Sequence, residues 1–118
     1  MRILVVQWDY PAARQRAAEL REAGHDVAIE SNDPGAAYRK ARTDLPDVIV
    51  LDLAYRPSLT RHATRALSRL FGNRLIFVGG AEHQRDRAGR QAPAAVFTPA
   101  ARLVETLEEY EPPPYVEH

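Results

Sequence analysis

The residues of this sequence that could do chemistry stand at the ends of its short apolar runs. They are Gln7, Trp8 and Asp9; Glu30, Ser31 and Asn32; Asp52; Gly79 and Gly80; Thr98 and Pro99. Asp9, Glu30 and Asp52 are the carboxylates among these strand-end residues. The sequence offers no motif for thiol chemistry, nucleotide binding, serine hydrolysis or a histidine metal site. The chain has no cysteine, no glycine-rich phosphate loop and no Gly-x-Ser-x-Gly elbow, and its four histidines do not cluster.

Five apolar runs predict the strands that position these residues. The runs are 3–6, 27–29, 48–53, 75–78 and 95–97. Their nearly continuous apolar character predicts strands that are buried on both faces. Longer segments rich in Ala, Leu and Arg alternate with them, and this βα alternation predicts a parallel sheet with helices on both sides. Ligands bind such sheets beyond the carboxyl ends of the strands, where the residues above would gather.

Helix signals fill the segments between the runs. Asp9 is the expected cap of a first helix near residues 11–23, and Asp33 opens a second. The clearest helix is the third, which has one apolar stripe: Leu59, Ala63, Ala66, Leu67 and Leu70. Residues 81–91 are polar all round, so we expect a fourth helix that is short, mobile or poorly packed.

The 118 residues predict a single domain over 1–111, followed by a loose, proline-rich tail over 112–118. No apolar run approaches the roughly 18–20 residues of a membrane span, and the N-terminus does not resemble a signal peptide. We therefore expect a soluble, cytoplasmic domain that does not contact the membrane.

The charges cancel overall but are unevenly distributed. Sixteen Lys and Arg balance sixteen Asp and Glu, which argues against a general binder of nucleic acid or membranes. Residues 56–102 nevertheless carry nine arginines and two acids, while 103–118 carry five glutamates and no basic residue.

Arg61, Arg65 and Arg69 follow one another at helical spacing in the basic part of the chain. This arginine ridge is either a docking surface or a solvated face paired with the chain's own carboxylates. As a docking surface it would suit an acidic partner, a phosphate-bearing molecule or the acidic end of a second copy. It lacks interleaved aromatic residues, which argues against nucleic acid.

Four strings of the sequence resemble the receiver domains of two-component response regulators over residues 2–110. They are ILVVQWD (3–9), PDVIVLDLAYRP (46–57), LIFVGG (75–80) and VFTPA (96–100). The resemblance implies a three-layer, doubly wound, flavodoxin-like fold with strand order 2-1-3-4-5. It also implies that Asp52 occupies the phospho-acceptor position.

The other pocket positions depart from the receiver pattern. Gln7 and Trp8 stand where receivers have two magnesium-binding carboxylates, Gly79 replaces a hydroxyl residue, and Thr98 replaces a lysine. A carboxylate without these cationic helpers is a poor phosphoryl acceptor. We therefore expect a degenerate pseudo-receiver that is not an enzyme, binds no metal or cofactor and signals through protein–protein contacts.

Two alternatives remain open at this stage. An atypical active receiver would accept phosphate on Asp52, with Asp9 helping to hold Mg²⁺. A small-ligand-binding module would use Trp8 as a wall of its site, whereas in the pseudo-receiver Trp8 would plug the vacated metal site. The resemblance implies partners from a signalling pathway. It also allows a homodimer through the fourth helix, fifth strand and fifth helix, where charges of both signs lie.

Overall fold

The computed structural model describes residues 1–115 as a five-stranded parallel sheet with helices on both faces. The strands are β1 (Arg2–Val6), β2 (Asp26–Glu30), β3 (Val48–Asp52), β4 (Leu75–Val78) and β5 (Val96–Thr98). The helices are α1 (Tyr10–Glu22), α2 (Pro34–Thr43), α3 (Pro57–Phe71), α4 (Glu82–Gln91) and α5 (Leu103–Glu109). The spatial order β2-β1-β3-β4-β5 confirms the predicted flavodoxin-like topology.

Two core clusters cover the two faces of the sheet, because successive strand side chains point in opposite directions. Ile3 and Val5 of β1 pack with residues of α1 and α5. Leu4 and Val6 pack with residues of α2, α3 and α4. A side chain at the end of a strand therefore lies on either the α1–α5 face or the α2–α3–α4 face.

Two details of the predicted core are wrong. Val96 and Phe97 of β5 are more than one-third exposed, because β5 is an edge strand rather than a buried one. On α3, Leu70 points to solvent and Phe71 is buried instead. The buried face of α3 is therefore rotated relative to the predicted apolar stripe, and it includes Thr60 and Thr64.

Helix α4 runs over ten residues and is poorly packed, as its polar sequence predicts. Ala88 is the single residue of α4 that is buried.

Asp9 occupies the N-cap position of α1, but its side chain makes no capping hydrogen bond, contrary to its expected role. No helix within residues 1–115 is both long and apolar enough to cross a membrane.

The start of the C-terminal segment packs on the domain, so the expectation of a loose tail is wrong up to Tyr115. The buried Arg74 side chain donates hydrogen bonds to the carbonyls of Asp47 and Pro113, and its guanidinium lies 3.5 Å from the centre of the Tyr115 ring. Tyr115 also donates to the Pro46 carbonyl. Residues 116–118 of the predicted tail lie outside the described residues.

Candidate functional site

Strand register brings Gln7, Asp52 and Thr98 to the same edge of the sheet. Asp52 pairs with Val78, and Val78 pairs with Thr98. Val6 pairs with Leu51, which places Gln7 beside Asp52 one step further along. The alternation of side chains puts Gln7, Asp52 and Thr98 on the α1–α5 face of the sheet.

The Asp52 carboxylate already has partners from its own chain. Its Oδ1 accepts a hydrogen bond of 2.9 Å from the Ala54 amide, and its Oδ2 lies 3.6 Å from Nη2 of Arg16. Both charged side chains are only 16% exposed. Because they are largely withdrawn from water, their attraction is stronger than that of a surface ion pair.

Arg16 is the site residue that the sequence analysis missed. It lies on α1 beside the buried Ala13, Ala17 and Leu20, so it shares the face of the helix that packs on the sheet. The signal was an arginine at i, i+3 spacing inside an otherwise apolar stripe. A basic residue at such a place needs a buried partner, and Asp52 provides one.

The two residues at the receiver's carboxylate positions end up on opposite faces of the sheet. Gln7 is buried, and its Oε1 accepts a hydrogen bond from the Asp9 amide. Trp8 is 8% exposed and belongs to the core cluster on the α2–α3–α4 face. Its Nε1–H donates to Oγ1 of Thr60 at 3.1 Å, and Thr60 in turn donates to the Asp52 carbonyl. The indole therefore packs in the core on the face opposite the Asp52 carboxylate, so its role as a plug of the vacated metal site stays a prediction.

The remaining pocket positions supply no cation. Gly79 has a φ of +66° and donates its amide to the Thr98 carbonyl. The buried Thr98 hydroxyl lies 2.8 Å from that of Thr106 on α5. Asp9 is half-buried. Within residues 1–115, no group of three or more His, Cys, Asp and Glu side chains could hold a metal ion.

Solved structures with the same fold identify the architecture. The chain superposes on the receiver domain of a modulated diguanylate cyclase from Desulfovibrio desulfuricans with a TM-score of 0.71 and 22% identity, covering 91% of this chain and 86% of that one. A LuxR-family two-component response regulator from Aurantimonas gives 0.70 and 28%, over 91% and 81%. The chemotaxis protein CheY4 of Vibrio cholerae gives 0.73 and 18%, over 92% of both chains. This chain has the receiver fold of response regulators.

No protein-family model and no curated protein matches the chain. The receiver fold therefore rests on topology and on structural neighbours. Gln7, Trp8, Gly79 and Thr98 mark where this chain differs from the receiver pattern that its sequence resembles, and Asp52 is the pocket position that keeps its residue type.

The arginine ridge lies on the solvent side of α3. Arg61, Arg65 and Arg69 are all exposed. Among residues 1–115, none of the three forms an ion pair with a carboxylate. The predicted pairing of the ridge with the chain's own acids is therefore not found in the described part of the protein.

Proposed function

We propose that this chain is a cytoplasmic pseudo-receiver, a non-catalytic signalling domain that acts through protein–protein contacts without metal-dependent phosphorylation. The observation that carries the proposal is the ion pair between Asp52 and Arg16. An incoming phosphoryl group brings negative charge to Asp52, and catalysis needs cations that neutralise this added charge. Arg16 neutralises the carboxylate itself, and the lysine position holds Thr98.

The same contacts argue against the alternative of an active receiver. Attack by Asp52 uses one of its carboxylate oxygens, and here Oδ1 accepts from Ala54 while Oδ2 faces Arg16, so attack would compete with these contacts. A magnesium ion held by Asp9 and Asp52 would have to displace the guanidinium. Gln7 contributes a neutral amide in place of a charged ligand, so it would compensate little for that loss.

A second copy of the chain is the partner that we propose for the face formed by α4, β5 and α5. Val96 and Phe97 expose apolar surface along the β5 edge, which also has unpaired backbone groups. Arg102 and Glu105 form an exposed ion pair close by in the chain, so the face carries both charge signs. In a two-fold contact Arg102 of one copy can face Glu105 of the other. The arginine ridge remains available for an acidic protein partner.

The absence of metal and phosphate chemistry can be tested with beryllium trifluoride, which mimics a phosphoryl group on a carboxylate. We expect no saturable shift of the Ala54 and Thr98 amide resonances when isotope-labelled protein is titrated with this analogue and Mg²⁺. Beryllium trifluoride without Mg²⁺ is the control. Saturable shifts that require Mg²⁺ and disappear in Asp52→Asn would overturn the proposal.

The second-copy contact can be tested by sedimentation of edge-strand variants. We expect Val96→Glu to weaken self-association of the protein, because it places a charge on the proposed contact. The matched control is Ala28→Glu, an exposed residue on the other edge strand, β2. A wild-type chain that stays monomeric at high concentration, or an equal effect of the two variants, contradicts this contact.

A further inference from the structure

A cavity of about 270 Å³ lies between α3 and α4. Leu53, Pro57 and Ala88 contribute its apolar lining. The cavity follows from the sequence of α4, because the methyl group of Ala88 is the only side chain that this helix buries. So small a group cannot fill the space between two helices.

The rim of this cavity is basic. Arg61 of α3 and His83 and Arg87 of α4 line it, and all three are exposed to solvent. No acidic residue lines the cavity, as far as residues 1–115 show, and neither arginine forms an ion pair there. Two guanidinium groups at the mouth of an apolar recess attract an anion and can bond to its oxygens.

The two buried threonines in the walls have their hydroxyl groups engaged elsewhere, while Gln84 and Gln91 also line the cavity. The Thr60 hydroxyl accepts from Trp8 and donates to the Asp52 carbonyl. The Thr64 hydroxyl donates to the Thr60 carbonyl. The recess therefore combines an apolar interior with positive charge at its opening. Ligand sites commonly have this arrangement, a mostly apolar lining with a few polar groups that fix orientation.

We propose that the cavity binds a small anionic molecule with an apolar body. The body would lie against Leu53, Pro57 and Ala88, and its sulfonate, carboxylate or phosphate group would meet Arg61 and Arg87. A cavity of about 270 Å³ is close to the lower limit of ligand pockets, so the body is the size of a small aromatic system. This site goes beyond the proposed protein contacts and does not depend on whether Asp52 is phosphorylated.

Trp8 provides a built-in reporter of the cavity. It is the only tryptophan, and its Nε1–H bonds to Thr60, which lines the cavity. A ligand that moves Thr60 changes the single indole N–H resonance of the protein. Naphthalenesulfonate is a suitable probe, and naphthalenesulfonamide is its uncharged counterpart of nearly the same shape.

Three probes separate the contribution of charge to binding from the contribution of apolar contact. We expect naphthalenesulfonate to bind saturably by calorimetry and to shift the Trp8 indole resonance. Its Kd should be lower by about tenfold than the Kd of the sulfonamide or of inorganic phosphate, since each lacks one of the two contributions. Absence of saturable binding, or equal affinity for the sulfonamide, would overturn the proposal. Equal affinity for phosphate would overturn the apolar part of it.

Paired variants locate the site. We expect the double variant Arg61→Gln, Arg87→Gln to raise the Kd of naphthalenesulfonate by about tenfold. The control double variant Arg65→Gln, Arg90→Gln removes two exposed arginines from the same helices that do not line the cavity, so it should change the Kd by less than about twofold. Equal effects of the two double variants contradict a site in this cavity.

Discussion

The Arg16 guanidinium lies 3.6 Å from the Asp52 carboxylate, so the candidate phospho-acceptor has a cationic partner built into its own chain. The partner comes from α1 and the acid from the end of β3. Both side chains are largely shielded from water. The positive charge of Arg16 therefore balances the negative charge of Asp52 within the pocket. The effect of this ion pair on stability can be measured.

Neutralising Asp52 should destabilise the protein. We expect Asp52→Asn to lower the free energy of unfolding by about 1–2 kcal/mol, because it leaves the shielded Arg16 without its partner. If other carboxylates surrounded Asp52 instead, the same substitution would relieve repulsion between like charges and raise the free energy of unfolding. A double-mutant cycle with Arg16→Met in urea should give a coupling energy of about 1 kcal/mol. The same cycle between Asp9→Asn and Arg16→Met should give no coupling. Stabilisation by Asp52→Asn contradicts the ion pair.

The two buried threonines of α3 should respond differently to loss of their hydroxyl groups. Thr60→Val removes the acceptor of the Trp8 N–H and leaves that donor buried, which should cost about 1–3 kcal/mol of unfolding free energy. Thr64→Val removes only a donor to the Thr60 carbonyl, so it should cost less than about 1 kcal/mol. Urea denaturation followed by Trp8 fluorescence measures both. Equal costs would show that the indole bond contributes little.

Gly79 and Gly80 form a second matched pair. Both have positive φ, at +66° and +85°. A Cβ on Gly80 would lie 2.6 Å from the Leu53 Cβ, whereas one on Gly79 meets nothing within 4 Å. We expect Gly79→Ala to cost about 1 kcal/mol from backbone strain and Gly80→Ala about 2–4 kcal/mol, because overpacking is added. Thermal unfolding of the two variants tests this order, and a reversed order contradicts it.

His25 should make the fold sensitive to acid. Burial and the neighbouring Met1 ammonium lower the pKa of His25 below its ordinary value of 6.5, against a smaller opposing effect of Glu108. The Met1 ammonium donates to His25 Nδ1, and Nε2 has no partner among the described residues. The folded state thus favours the neutral ring. The stabilisation is complete above pH 6.5 and is lost as the pH falls from 6.5 through the lowered pKa.

Urea denaturation on both sides of pH 6.5 tests this assignment. Wild-type protein should lose more stability at the acid pH than His25→Gln does. His62→Gln, which changes an exposed histidine of α3, should behave like the wild type. The same acid-induced loss in all three proteins would show that His25 is not responsible.

The sequence predicts the fold well because the βα alternation and the strand ends depend on local patterns. Register then brings Gln7, Asp52 and Thr98 together without further information. Arg16 was missed because its partner lies on another element, and only packing shows which face of α1 meets the sheet. The cavity between α3 and α4 could not be predicted from the sequence either, because it also depends on how separate elements pack. It depends on the space that small side chains leave unfilled, which is a property of two helices together.

The most direct test of the pseudo-receiver account is intact-mass measurement after incubation with a small phosphodonor and Mg²⁺. Wild-type protein and Asp52→Asn should both keep their unmodified mass under conditions that phosphorylate an active receiver run alongside. A gain of one phosphoryl group by the wild-type chain that is absent from Asp52→Asn would show that Asp52 is an acceptor despite Arg16, and the account would be wrong.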